Sequence, residues 1–247
     1  MSDIEFTFRW CRSFLERLLA EGYRFRSYDE GVASGDVLLR HDVDLSPERA
    51  VRMARMERDL GVSSTYFFLL GTPLYNPFQA PVRDAIREVE SLGHDVGLHF
   101  STYQYWPASR PPPESDIAEA VAREQGVLET IVGTVVPTVS FHLPPPWVME
   151  RTFEAFPSTF EPRFFGDIAY LADSRQRWRH DGADIPNGGR PLQVLMHPGL
   201  WASEDAPFEE RIREAVAEAD ERANDYALSR HLESDRIRDR SAAPPEV

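Results

Sequence analysis

Short apolar runs alternate with longer amphipathic segments along most of the chain. The runs are rich in β-branched and aromatic residues, which is typical of buried strands. They predict strands at residues 23–28, 37–39, 64–70, 95–100, 137–141 and 192–196, with weaker candidates at 160–165 and 168–172.

The segments between these runs have the apolar spacing of helices. Ser46 and Pro47 predict a helix N-terminus, and Gly61 predicts the end of that helix. Other helices are predicted at residues 7–20, 81–92, 114–132 and 208–232. Strands that alternate with helices favour parallel pairing through crossovers. We therefore predict an α/β fold, a distorted (β/α) barrel with about seven parallel strands.

The same pattern predicts four regions. Residues 1–35 form an N-terminal helix and extension packed on the barrel, which itself spans residues 36–202. Residues 203–232 form an acidic C-terminal helix, and residues 233–247 form a flexible tail.

Four predicted strand ends carry histidine or carboxylate side chains: His41 with Asp42 and Asp44, then His99, His142 and His197. The carboxyl ends of barrel strands meet at one face, where the active sites of such folds lie. A lone histidine near a strand end usually has a structural role, and Asp44 could instead cap the helix that follows. The convergence of four strand ends favours a shared functional site.

Imidazole and carboxylate groups bind borderline divalent ions such as zinc, cobalt or manganese. Such an ion activates water and polarises a carbonyl group, while a further carboxylate and histidine can move protons. The chain has no Gly-rich phosphate loop and no Gly-x-Ser-x-Gly motif, which weakens nucleotide binding and serine hydrolysis as alternatives.

The net charge of −14 disfavours nucleic acid and anionic lipid as partners. All 27 basic residues are arginine, which indicates either a GC-rich genome or a salt-adapted proteome and does not bear on the reaction.

The single cysteine, Cys11, excludes an intrachain disulfide. Without a secretory signal at the N-terminus or a long apolar run, we expect a soluble cytoplasmic protein with no membrane span.

Five short motifs resemble those of the polysaccharide deacetylase family, the NodB homology domain of carbohydrate esterase family four. They occur in the family's order at residues 40–44 (RHDVD), 64–67 (STYF), 93–99 (GHDVGLH), 141–144 (FHLP) and 195–198 (LMHP). The resemblance covers residues 37–201 and is greatest to a divergent His-Asp-Val-Asp branch associated with surface-polysaccharide biosynthesis.

This resemblance implies a NodB-like barrel that hydrolyses an N-acetyl or related group on a sugar. It implies that Asp42 is the catalytic base, His99 a metal ligand and His197 the catalytic acid. Asp173 corresponds to a family residue that orients the acid, although a turn residue is an equal alternative.

Two departures from the family pattern concern the metal site. Tyr103 stands where the family has its second ligand histidine, and Val43 separates the two aspartates. Side chains two apart on a strand share a face, so Asp44 could reach the ion while Asp42 holds the base position. His142 replaces a family arginine and could supply the missing imidazole. We therefore predict Asp44, His99 and His142 as ligands of a divalent ion, with zinc first and cobalt or manganese as alternatives.

Tyr103, Trp178 and Trp201 could form an apolar floor beneath a sugar, although packing is the more common role of such aromatics. Three functions remain open from the sequence. They are a sugar deacetylase, a catalytically degenerate homologue that only binds a glycan, and a hydrolase of a small non-sugar amide.

Overall fold

The computed structural model describes residues 4–149 and 151–232, so the predicted tail at 233–247 lies outside the described residues. Seven parallel strands form one sheet in the order β5-β4-β3-β2-β7-β6, with β1 beside the start of β2. The strands are β1 (Arg24–Arg26), β2 (Asp36–Val43), β3 (Thr65–Leu69), β4 (Asp95–Phe100), β5 (Val139–Phe141), β6 (Ala169–Ala172) and β7 (Leu192–Met196). The predicted α/β class and parallel strands are confirmed.

Seven α-helices accompany the sheet among the described residues. They are α1 (Phe8–Ala20), α2 (Pro47–Leu60), α3 (Ala80–Ser91), α4 (Glu114–Val132), α5 (Pro162–Phe165), α6 (Trp178–Asp181) and α7 (Phe208–Ala227). Ser46 caps α2 by accepting a hydrogen bond from the Arg49 amide, and Gly61 ends it in the left-handed conformation. These local signals explain why the sequence predicted α2 correctly.

Contacts across the sheet show that it curls into a half-barrel. Asp42 lies on β2 and Ser140 on β5, with β3 and β4 between them. Neighbouring strands lie about 4.8 Å apart, so the two strands would be roughly 14 Å apart in a flat sheet. Ser140 Oγ nevertheless lies 3.2 Å from Asp42 Oδ1. The sheet therefore closes tightly around its concave face, as the predicted distorted barrel requires.

The apolar core lies on both faces of the sheet. Two large clusters fill the space between the outer face and the helices. A smaller cluster on the concave face contains Tyr28, Leu38, Phe67, Phe164 and Ile168. It fills the interior beneath the carboxyl ends of the strands, so polar side chains above it rest on an apolar floor.

The predicted strand at 160–165 is wrong, because residues Pro162–Phe165 form the short helix α5. Proline has no amide hydrogen and its fixed φ suits the first turn of a helix. Glu161 precedes it and accepts a hydrogen bond from the Ser158 amide, which fixes the turn. Apolar composition alone could not separate this turn from a strand.

Gly97 on β4 provides a test of how the concave face is packed. An alanine Cβ there would lie 2.4 Å from the Phe67 ring and 3.1 Å from the Thr138 carbonyl oxygen. We expect Gly97→Ala to lower the free energy of unfolding by about 1–3 kcal/mol, measured by denaturant titration.

Gly126 in α4 is the matched control, because a Cβ there meets no heavy atom within 4 Å. Gly126→Ala should raise the free energy of unfolding by about 0.5–1 kcal/mol, since alanine favours a helix interior over glycine. Equal stability of Gly97→Ala and the unmodified protein would contradict the described packing of Phe67.

Candidate active site

A buried ion pair forms the base of the site. Arg40 and Asp42 lie on the concave side of β2, and the guanidinium donates to both carboxylate oxygens, Nε to Oδ1 at 2.9 Å and Nη2 to Oδ2 at 2.7 Å. Arg40 Nη2 also lies 2.6 Å from Ser140 Oγ. The Arg40 side chain is 1% exposed and that of Asp42 is 3% exposed, so the pair is shielded from water.

The ion pair keeps Asp42 ionised. Burial alone would raise the pKa of Asp42, but the Arg40 guanidinium and the nearby imidazoles outweigh it and hold the pKa well below its usual range. A carboxylate offers about four acceptor positions. Arg40 uses two and Ser140 a third, and Asp42 Oδ2 lies 3.7 Å from His99 Nε2. Asp42 therefore retains one acceptor position near the imidazole cluster.

Three possible metal ligands converge beside this pair. Asp44, His99 and His142 each offer a ligand atom, and these atoms lie within 4.8 Å of one another. His99 Nε2 lies 3.1 Å from His142 Nδ1 and 3.9 Å from Asp44 Oδ1. His142 Nδ1 lies 3.7 Å from Asp44 Oδ2.

These separations suit a divalent ion. Tetrahedral ligands at zinc bond lengths lie about 3.3 Å apart. The two imidazole nitrogens are 3.1 Å apart, and each lies 3.7–3.9 Å from one of the two Asp44 oxygens. Asp44 Oδ1 is buried and has no hydrogen-bond partner among the described residues. A buried carboxylate oxygen without a partner is costly, and an ion would satisfy it. The donor set of two imidazoles and one carboxylate is also that of many catalytic zinc sites.

The ionisation of these side chains is strongly perturbed. Burial raises the pKa of Asp44 to about 6, and the nearby Asp42 adds to the rise while His197 and His142 oppose it. Burial lowers the pKa of His99 to about 3, although Asp42 opposes the change. Perturbed groups gathered in one cavity are typical of functional sites.

A histidine–aspartate pair lies on the other side of the site. His197 follows β7, and its Nδ1 lies 2.5 Å from Asp173 Oδ1. Asp173 also accepts hydrogen bonds from the His197 amide and from the Trp201 indole at 2.7 Å. Burial alone would lower the pKa of His197, but Asp173, with Asp44 and Asp42, raises it to about 9. His197 is therefore a cation at neutral pH and can donate a proton from Nε2.

The site lies in a cavity of about 940 Å³, which is lined by Asp42, Asp44, His99, His142 and His197. Leu45, Leu74 and Leu200 form part of an apolar wall, which Phe208 and Ile212 of α7 complete. The cavity is also lined by the aromatic side chains of Phe141, Phe160, Phe165 and Tyr170. Polar groups therefore converge at the base of an apolar cavity, which is the usual form of a small-molecule site.

His41 does not belong to the site. β2 extends to Val43, so His41 lies inside the strand and points away from Arg40 and Asp42. Its Nε2 lies 2.7 Å from Glu57 Oε1, and its ring stacks on Tyr66. The interpretation of His41 as part of the site is therefore wrong, because side chains alternate between the two faces of a strand.

The predicted aromatic floor is also corrected. Trp178 and Trp201 are fully buried, pack against Trp10 and do not line the cavity, so neither ring can face a sugar there. The Trp201 indole instead helps to hold Asp173. Tyr103 does line the cavity and is half-exposed, and His142 lies with the other two possible ligands.

Arg40 and Ser140 are the site residues that sequence reasoning missed. Arg40 stands next to the His-Asp-Val-Asp motif, and strand alternation places it on the same face as Asp42. An arginine at a buried strand position requires an acidic partner, which is the signal that could have identified it. Ser140 carries no comparable signal, because its role depends on the curl of the sheet.

Neither a protein-family model nor a curated protein matches this chain. Similar solved structures include a family 4 acetyl xylan esterase from Clostridium thermocellum in complex with a cobalt ion, at 16% identity and TM-score 0.41, covering 73% of this chain and 81% of the esterase. A family 4 carbohydrate esterase from Bacillus anthracis has 15% identity and TM-score 0.44, covering 85% of this chain and 86% of the esterase.

A CE4 family pseudoenzyme from Bacillus anthracis is similar as well, at 15% identity and TM-score 0.41, covering 75% of this chain and 60% of the pseudoenzyme. These structures come from the family that the sequence motifs resemble. Similarity at this level does not decide between an enzyme and a pseudoenzyme. In residues 4–149 and 151–232, no helix has the length and apolarity needed to cross a membrane.

The raised pKa of His197 yields a test. Asp173→Asn removes the adjacent negative charge while burial remains, so we expect the pKa of His197 to fall from about 9 to its ordinary value of about 6.5 or lower. NMR titration of the His197 ring measures this directly. If protonated His197 is required, the alkaline limb of the activity profile should move to lower pH in parallel.

Asp181→Asn is the matched control, because Asp181 is an exposed residue of α6 whose carboxylate lies near Arg177 rather than His197. It should leave the His197 titration unchanged. A His197 pKa that stays near 9 in Asp173→Asn would show that another group holds the imidazolium.

Proposed function

We propose that this chain is a metal-dependent hydrolase of the polysaccharide deacetylase type, which removes an acetyl or related acyl group from the nitrogen of a sugar. One observation carries the proposal. The three possible ligands Asp44, His99 and His142 converge in the same cavity as the cationic His197. The order of the sequence motifs supports the same class of enzyme.

Asp44, His99 and His142 would hold the ion, with zinc as the first candidate and cobalt or manganese as alternatives. A bound divalent ion supplies a polarised carbonyl oxygen and a water molecule of lowered pKa. Two imidazoles and one carboxylate leave ligand positions open, which is the arrangement of catalytic rather than structural zinc sites.

The protein side chains move the protons. Asp42 is ionised at neutral pH and keeps one acceptor position, so it can take the proton of the attacking water. His197 carries the proton that a departing amine requires, and Asp173 fixes the orientation of its ring. The two groups have opposite charge because Arg40 stabilises one and Asp173 stabilises the other.

The cavity is suited to a sugar-sized substrate. Its volume of about 940 Å³ is at the upper end of the range of small-molecule pockets, about 300–1,000 Å³. The exposed ring of Tyr103 at its mouth could stack on a sugar face. A small non-sugar amide is the alternative substrate, and parallel assays of acetylated sugars and small amides distinguish the two.

The metal site is tested by ion content and affinity. The protein purified without chelator should bind about one zinc, cobalt or manganese ion, measured by elemental analysis and by cobalt absorption. Asp44→Ala and His142→Ala should each weaken binding by about 100-fold or more, because loss of a ligand costs more than loss of an outer-shell partner.

His180→Ala is the control, because His180 is exposed on α6 and does not line the cavity. It should bind the ion normally. Less than about 0.1 ion per chain after addition of all three metals would contradict the proposed metal site, since a catalytic site holds one ion in each chain.

The variant Asp42→Asn distinguishes an active deacetylase from a homologue that only binds a glycan. This change keeps the shape of the side chain but removes the proton acceptor, so we expect kcat for acetate release from N-acetylated sugars to fall by about 10²–10⁴. The metal affinity should stay within a few-fold. No acetate release by the unmodified, metal-loaded protein, or equal rates in the variant, would contradict the proposed catalysis.

A further inference from the structure

We propose that Ser140 is a positioning residue that determines which ring nitrogen of His99 carries hydrogen, and so directs a lone pair of His99 toward the ion position. The inference rests on the proposed metal site of Asp44, His99 and His142. It concerns a residue that touches neither the ion position nor the cavity, because Ser140 is fully buried beneath them.

The Ser140 hydroxyl has three polar neighbours. Oγ lies 2.6 Å from Arg40 Nη2, 3.2 Å from Asp42 Oδ1 and 3.0 Å from His99 Nδ1. A hydroxyl has one hydrogen to donate and two lone pairs with which to accept. Three neighbours therefore use its full hydrogen-bonding capacity.

Two of these three roles are fixed by charge. A guanidinium can only donate, so Ser140 Oγ accepts from Arg40. An ionised carboxylate can only accept, so Ser140 donates its one hydrogen to Asp42. The remaining capacity of Oγ is a lone pair, and it faces His99.

His99 must therefore donate from Nδ1 to Ser140. A histidine that binds a metal is neutral and carries one ring hydrogen, so Nε2 then keeps its lone pair. Nε2 is the atom that lies 3.9 Å from Asp44 Oδ1 and 3.1 Å from His142 Nδ1. The opposite tautomer would require Ser140 to turn its one hydrogen from Asp42 to Nδ1. That would leave Ser140 Oγ and Asp42 Oδ1, two acceptors, 3.2 Å apart, and would place a hydrogen at the ion position.

The arrangement is rigid for two reasons. Ser140 and His99 are directly paired residues on β5 and β4, so the backbone fixes their side chains on the same face. Both side chains and the Arg40–Asp42 pair are almost completely buried, so water does not compete for these hydrogen bonds. The ion pair on β2 thus sets a proton position on β4 through a hydroxyl on β5.

The test measures the tautomer and the metal affinity separately. In metal-free protein, long-range ¹H–¹⁵N spectra should show His99 protonated at Nδ1 and unprotonated at Nε2, with the signal assigned by its loss in His99→Gln. Ser140→Ala should increase the Nε2-protonated form and weaken cobalt binding by about 10–100-fold. Ser140→Thr keeps the hydroxyl and should restore both properties.

Ser64→Ala is the matched control. Ser64 is also buried and also joins a carboxylate to an imidazole, Glu57 to His94, but it does so on the other face of the sheet. Its replacement should lower the free energy of unfolding without changing the His99 spectrum or the cobalt affinity. A similar loss of cobalt affinity in Ser64→Ala would mean that general destabilisation explains the Ser140 result and would overturn the inference.

Three further outcomes separate this inference from the proposed function. Normal cobalt affinity and an unchanged His99 tautomer in Ser140→Ala would overturn the inference and leave the metal site standing. No cobalt binding by the unmodified protein would overturn the proposed metal site itself. An Nε2-protonated His99 in the unmodified, metal-free protein would overturn the inference without reference to any variant.

Discussion

The ion pair between Arg40 and Asp42 is the interaction on which the concave face depends. Two charges taken out of water are costly, and removing one partner of such a pair typically costs about 3–5 kcal/mol. Here the guanidinium also lies over the Phe160 ring at 4.8 Å and within hydrogen-bonding distance of Ser140. The pair therefore joins β2, β5 and the segment before α5. This linkage ties the curl of the sheet to the ionised state of Asp42.

The His-Asp-Val-Asp segment illustrates how one strand serves both sides of the sheet. Asp42 enters the site, whereas His41 Nε2 lies 2.7 Å from Glu57 Oε1 on the other face of the sheet. Asp44 follows the strand and reaches the ion position because the chain has left the β-ladder at Val43. One short motif therefore contributes to two groups of histidine and carboxylate side chains. His41 belongs to a structural group on the outer face of the sheet, and Asp42 and Asp44 belong to the site on the concave face.

Much of the fold was predictable because local signals agreed with the overall fold. Ser46 and Gly61 bound α2 through caps that act over a few residues, and β4 and β7 combine apolar runs with clear ends. The long polar end of β2 was missed, because Arg40 and Asp42 are buried through their pairing with each other and with Ser140 of β5. The turn at Pro162 was mistaken for a strand because apolar content does not specify backbone geometry.

The site was predictable only in part for a related reason. Active sites of such folds lie at the carboxyl ends of the strands, and this expectation identified the positions of His99, His142 and His197. It also placed Asp42 and Asp44 beside them. It could not tell which side chains face inward where β2 continues beyond its apolar run, so His41 was included. Trp178 and Trp201 were assigned to a surface although they are buried, since sequence alone does not distinguish an aromatic residue that packs from one that binds.

The wall that α7 contributes to the cavity has a consequence for how the protein can diversify. Phe208 and Ile212 face the same space as His197 but belong to a helix outside the sheet. Arg49 of α2 holds this helix through Glu214 and Glu218. Substitutions at the two apolar positions would reshape the space open to a ligand without disturbing the strand ends. Chemistry and selectivity are thus encoded in separate parts of the chain, and each can evolve while the other is conserved.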